Sequence, residues 1–144
     1  MEGSMSTIHI PPEFLSQIHL SGEAAYPEEG VGFLLGHEGE VREVLGVLPI
    51  PNSREEASRN KRYIVAPDEY KNAEDTADRL GLSLIGVFHS HPDHPNQPSE
   101  YDKDWAQPLF SYVITSVQSG KAGETRSWRL SDDRSSFTEE TITT

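Results

Sequence analysis

Leu82-Ser83-Leu84-Ile85-Gly86-Val87-Phe88 runs directly into His89-Ser90-His91-Pro92-Asp93-His94-Pro95-Asn96-Gln97-Pro98-Ser99-Glu100-Tyr101-Asp102. The first seven residues form an apolar run bounded by Gly81 and by a proline-rich segment, the pattern of a buried strand. Side chains on a strand alternate between its faces, so His89 and His91 share one face and Ser90 takes the other. Two imidazoles side by side at the end of a rigid strand can grip a divalent metal. Bare His-x-His is nonetheless a weak motif, and each histidine alone reads as an ordinary surface or core residue.

The loop then returns a carboxylate, Asp102, at the start of a short helix expected around residues 102–106. Two neutral imidazoles and one carboxylate leave zinc a fourth position open to water, as catalytic zinc sites require. Ser99 lies three residues before Asp102 and has two readings that stay open. It fits the N-cap of that helix, and it fits a hydroxyl beside the metal that donates to a developing oxyanion.

Upstream, Pro12 suits a first helical position, and Phe14, Leu15, Ile18, Gly22 and Ala25 recur at helical spacing. A helix is expected from Pro12 to Tyr26, with Gly22 either packed closely on a neighbour or merely a weak spot in it. Val31-Gly32-Phe33-Leu34-Leu35 is a short buried strand, and 37–40 a turn into a second strand from Val41 to Leu48. Residues 51–61 read as an exposed polar loop and 62–65 as a short strand. Pro67 opens a second helix with Tyr70, Ala73, Ala77 and Leu80 on one face, and Gly81 suits its C-cap. Downstream, 111–117 and 125–130 read as two more strands around a Gly120/Gly123 turn. Phe33 and Trp128 read as core, and Trp105 as core or lip packing. The fold class is therefore α/β in the mixed α+β sense: a curved mixed sheet flanked by two main helices, with a short helix at the metal site. Residues 1–6 are expected to be a tag remnant and disordered start, 7–131 the domain, and 132–144 a polar, loosely attached tail.

The whole chain narrows the function classes. Its 144 residues suffice for one domain with a real core. There is no run of roughly 20 apolar residues to span a bilayer and no basic-then-apolar leader, so a cytoplasmic location is the expectation. With no cysteine, disulfides, thiolate catalysis and cysteine-bound zinc are excluded. A formal net charge of -12 argues against nucleic acid as the principal partner.

His89-Ser90-His91, seven residues, Ser99, two residues and Asp102 together resemble the His-x-His-x7-Ser-x2-Asp motif of the JAMM (MPN-plus) zinc metalloproteases. Tyr26-Pro27-Glu28-Glu29-Gly30-Val31-Gly32-Phe33-Leu34-Leu35-Gly36 resembles the upstream signature of the short, stand-alone prokaryotic members, and the signature's glutamate falls on Glu29 rather than Glu28. The resemblance implies an MPN/cytidine-deaminase-like architecture and one zinc held by His89, His91 and Asp102. It implies Glu29 as the acid–base group on the zinc water and Ser99 as the oxyanion partner. The implied substrate is a ubiquitin-like or sulfur-carrier protein, cut at the amide bond after its C-terminal Gly-Gly. One departure is Gly30-Val31, where prokaryotic relatives often carry cysteine; it bears on close substrate matching more than on catalysis.

Two other classes compete. A non-catalytic MPN-minus scaffold characteristically lacks one or more ligands, whereas all are present here. A related DNA-repair-associated domain shares the histidine–aspartate pattern, but the acidic balance and the Tyr-Pro-Glu-Glu signature argue against it. His94 fits no ligand slot and is expected to face solvent. Glu28, Asp93, Glu100 and Asp104 are expected to be surface charges, and His9, His19 and His37 have no motif context.

Overall fold

The computed structural model describes residues 6–50 and 65–144, with the side chains of Glu100, Tyr101 and Trp105 left aside. The expected loop at 51–61, the strand residues 62–64 and the packing of Trp105 lie outside the described residues. The elements in chain order are β1 (Thr7–His9), α1 (Pro12–Ala25), β2 (Val31–His37), β3 (Val41–Ile50) and α2 (Pro67–Arg79). They continue with β4 (Ser83–Pro92), α3 (Glu100–Trp105), β5 (Ser111–Gln118), β6 (Lys121–Leu130) and β7 (Phe137–Thr143).

The sheet is mixed and closes on itself in the order β1-β3-β2-β4-β5-β6-β7. β4 lies at its centre, antiparallel to β2 and parallel to β5. Both faces of these central strands are covered, which explains their unbroken apolar runs. Val31, Phe33 and Leu35 of β2 pack with Val87 and with Ala73 and Ala77 of α2. Leu34, on the other face, packs with Ile85, Phe88 and Ile18 of α1. α1 can approach because Gly22 has no side chain: a Cβ there would lie 3.0 Å from Val117 Cγ2 and 3.1 Å from Ser90 Cβ. Of the two readings of Gly22, close packing is therefore the one present, and Ser90 is its partner.

α2 buries Ala73 and Ala77, and Tyr70 meets Phe33 edge-on at a ring separation of 5.2 Å. Leu80, expected on the same face, is 62% exposed. The helix ends at Arg79, and Gly81 (φ 72°) turns the chain away before Leu80 can reach the core. Among the described residues no helix is long and apolar enough to cross a membrane.

The largest correction concerns the C-terminal residues. Residues 132–144 are not a loosely attached tail. Phe137–Thr143 forms β7, antiparallel to β6 and parallel to β1, and this pairing closes the sheet. Arg134 in the same stretch donates to the carbonyls of Ala106 (2.6 Å), Lys103 (2.9 Å) and Asp104 (3.3 Å), at the C-terminal end of the helix that carries Asp102. β1, with three residues, is too short to give a periodic signal and is not legible in the sequence. Trp128 is half-buried rather than core, because its indole N–H reaches the histidine loop at Asn96 O (3.1 Å).

Candidate metal centre

β4 carries both histidines past the end of its apolar run. The register places His89 opposite Val31 on β2 and Ile114 on β5, so the ring emerges in the middle of the sheet rather than at an edge. His89, His91 and Asp102 are all buried, at 1%, 6% and 5% exposure. One ligand-type atom from each comes together, with all three inside 4.8 Å of one another. His91 Nε2 lies 3.2 Å from Asp102 Oδ2, and His89 Nε2 lies 3.7 Å from Asp102 Oδ1.

The chemistry of these atoms decides whether a metal fits. His91 Nδ1 sits 2.7 Å from the carbonyl of Pro95, and a carbonyl only accepts, so Nδ1 carries the proton. In the neutral ring Nε2 is then a bare lone pair aimed at a carboxylate oxygen. Two acceptors at that separation belong on either side of a cation. A tetrahedral zinc with bonds of about 2.1 Å sets its ligands roughly 3.4 Å apart. The observed 3.2 and 3.7 Å bracket that spacing. The Pro95 bond is the kind of outer contact that fixes a ligating imidazole's tautomer and angle. The donor set therefore fits a divalent zinc.

The electrostatics agree. Burial brings the His89 imidazole down to about 4, so it is neutral at neutral pH. Burial alone would raise the Asp102 carboxyl, but the His89 charge, the adjoining His91 ring and the Ser99 N–H outweigh it and bring it to about 2. With His89 neutral near pH 7, the Ser99 N–H bond to Oδ2 is a part of that effect that persists. Asp102 is thus a carboxylate facing both imidazole rings, of which His89 is neutral.

Asp102 is delivered by a reciprocal cap. Ser99 Oγ accepts from Asp102 N at 3.0 Å, and Ser99 N donates to Asp102 Oδ2 at 2.8 Å. The capping reading of Ser99 is correct, and the cap also orients the carboxylate. The Ser99 hydroxyl proton is not used by the cap.

Glu29 comes from the residue pair just before β2. Its carboxylate is 5% exposed, and Oε1 stands 3.9 Å from His89 Nδ1, at ion-pair rather than hydrogen-bond distance. What brings it there is Ser90, a residue not singled out in the sequence. Ser90 N donates to Gly30 O (3.0 Å) and Gly30 N donates to Ser90 Oγ (2.8 Å), so the residue between the two histidines holds the residue after Glu29. His94 is exposed and outside the cluster. Asp93 is an exposed charge but an organised one, accepting from Tyr26 Oη (2.6 Å) and Ser119 N (2.9 Å).

A family model describing prokaryotic homologs of the JAB domain matches residues 11–131. The chain belongs to this prokaryotic JAB family. Among relatives of this JAB domain is a Thermus thermophilus protein named a probable TtuB-protein conjugate cleaving protease. It is 37% identical over 109 residues, 74% of this chain and 68% of that protein. A Pyrococcus furiosus protein named desampylase is 31% identical over 133 residues, 90% of this chain and 85% of that protein. A solution structure of a Salinibacter ruber protein is 42% identical with a TM-score of 0.73, over 96% of this chain and 90% of that one. A JAB1/MPN domain protein from Archaeoglobus fulgidus shares the fold, with a TM-score of 0.57 at 16% identity over 96% of this chain and 99% of that one. The mixed α/β architecture expected from the sequence is that of the JAB/MPN domains. β7 lies beyond the matched residues, so the strand that closes the sheet is not part of the family signal.

Proposed function

We propose that this JAB domain is a zinc-dependent metallopeptidase or isopeptidase. Its substrate on this reading is a ubiquitin-like or sulfur-carrier protein, cut at the amide bond after the C-terminal Gly-Gly. The observation that carries the reading is the buried cluster of His89, His91 and Asp102 with the Glu29 carboxylate beside it. The names of the Thermus and Pyrococcus relatives support the substrate class.

Zinc held by this set supplies Lewis acidity at a carbonyl and water acidified to a pKa of about 7. The remaining work falls to side chains. Glu29 accepts the proton of the attacking water at a carboxylate oxygen and passes it to the leaving nitrogen. A positioned acid–base group of this kind is worth about 10²–10⁴ in rate. The Ser99 hydroxyl, with its proton unused by the cap, donates to the carbonyl oxygen as charge develops there. An open trough of about 650 Å³ runs to Glu29 between α1 and the end of β3, past Ser21, Ala24, Ala25, Gly30 and Ile50. Its lining is mostly apolar, Gln17, Ser21 and the two glutamates aside, which supports entry of an extended chain.

The test is direct. Zinc-loaded protein is expected to cut a ubiquitin-like or sulfur-carrier domain fused through its terminal Gly-Gly, and the metal-stripped protein to leave it whole. Intact fusions after incubation with protein shown to carry one zinc would reject the reading.

A further inference from the structure

The Pro95 carbonyl that orients His91 belongs to an exposed loop, yet it is held from both sides. On one side Ser116 Oγ donates to His94 O at 2.7 Å. On the other, Asn96 Nδ2 donates to Glu124 O at 3.0 Å, and the Trp128 indole N–H donates to Asn96 O at 3.1 Å. Pro95 itself has a fixed φ and no N–H to trade. Between Asp93 and Ser99, Asn96 is the one buried residue, at 6% exposure. Burying a polar amide in an otherwise solvated loop is costly unless its hydrogen bonds are made, and here the side-chain N–H and the backbone carbonyl of Asn96 are each tied to β6. The path is therefore continuous. β6 fixes Asn96, Asn96 fixes the Pro95 carbonyl, that carbonyl fixes the proton and angle of His91, and His91 Nε2 faces Asp102.

We propose that Asn96 and Trp128 are positioning residues for the metal: they set its affinity through the Pro95 carbonyl without touching it. The inference rests on the metal-centre reading. Removing a hydrogen-bond partner of a ligating histidine typically costs 10–100-fold in metal affinity. Asn96 and Trp128 act one bond further out, so the lower end, about tenfold, is expected for Asn96→Ala. Trp128→Phe, which keeps the ring and removes one N–H, should lose less.

The experiment is a zinc competition titration against a chromophoric chelator on the full chain, paired with the melting temperature of each metal-free protein. Ile142→Val, in β7 on the far side of the sheet closure, serves as a destabilised control and should keep wild-type affinity. Visible spectra of the cobalt-substituted proteins add a readout of ligand geometry, expected to shift in Asn96→Ala and Trp128→Phe but not in the control. Weaker zinc in both variants at unchanged affinity in the control supports the proposal. Wild-type affinity in both variants overturns it, as does a loss that merely follows the fall in melting temperature. If Asn96→Ala does not fold, Trp128→Phe alone carries the test. A wild-type protein that binds no zinc overturns the metal-centre reading and this inference together; zinc-loaded wild type with unaffected variants overturns the inference alone.

Discussion

Two polar clusters buried among the described residues are built in opposite ways. One lies at the seam of the sheet. Glu140 of β7, 1% exposed, accepts from Ser111 and Ser127 (2.7 Å each) and from Arg129 Nε (2.8 Å). Arg42 joins through Ser111 Oγ (2.8 Å) and also donates to Ile85 O, Leu109 O and Glu38. Every charge there meets an opposite charge or a hydroxyl from the protein itself. The other cluster gathers two imidazoles and a carboxylate, one ligand-type atom of each lying within 4.8 Å of the others. The first is complete as a set of hydrogen bonds and can serve only to hold strands together. The second has the donor set that a cation would fit, which is why it reads as a candidate site and the first as a joint.

The sharpest test of that contrast is Glu29→Gln, which keeps the shape and removes the charge. If Glu29 is the acid–base group, turnover falls by about 10²–10⁴ while zinc stoichiometry and affinity stay at wild type. Its carboxylate lies 3.9 Å from His89 Nδ1, however, and a carboxylate near a ligand ring can also serve to orient that ring. In that case zinc affinity would fall along with activity. Steady-state turnover together with the zinc titration separates the two roles. Retained turnover in Glu29→Gln would remove Glu29 from the chemistry altogether.

The seam cluster should respond the other way round. Glu140→Ala strands the Arg129 charge and leaves two buried serines short of an acceptor. Breaking a buried pair from one side costs about 3–5 kcal/mol, and because Arg129 remains partly solvated the expected loss is near the lower bound. Denaturant melts should show that loss, with one zinc per chain still bound under native conditions. Loss of zinc at unchanged stability would mean that the seam and the site are not separate joints.

How much of this is legible in the sequence follows from which residues obey the ordinary burial pattern. β2 and β4 are apolar on both faces, and His89 and His91 follow by strand alternation, so these elements and two of the candidate ligands can be read directly. Asp102 and Ser99 follow from cap spacing. β7 hides because Phe137-Thr138-Glu139-Glu140-Thr141-Ile142-Thr143 is polar at most positions, and its most buried residue is a glutamate. β3 misleads similarly at its start, where Val41 is exposed and Arg42 buried. Both exceptions are members of the seam cluster, where charge pairing across strands replaces hydrophobicity as the reason for burial, and pairing across the chain leaves no periodic trace. Ser90 and Asn96 are missed for a related reason. A serine inside His-Ser-His and an asparagine among prolines look like linker chemistry, and only the fold reveals that one holds Gly30 and the other holds the loop.

Ser99 is the mildest probe and the one that touches both clusters' logic, since it is a structural cap placed against a candidate metal ligand. Ser99→Ala removes the Oγ acceptor for Asp102 N, while Ser99 N can still donate to Asp102 Oδ2. Loss of an N-cap side chain costs about 1 kcal/mol, visible as a small drop in the midpoint of a denaturant melt. A purely structural Ser99 would show that drop with turnover per zinc-loaded molecule unchanged. If its hydroxyl also donates to the carbonyl oxygen as charge builds, turnover falls further, by up to about 10²–10³ as for other oxyanion donors. Because the aspartate keeps its backbone donor in the variant, zinc affinity should move little in either case. The ratio of turnover loss to stability loss, rather than either alone, therefore assigns the hydroxyl.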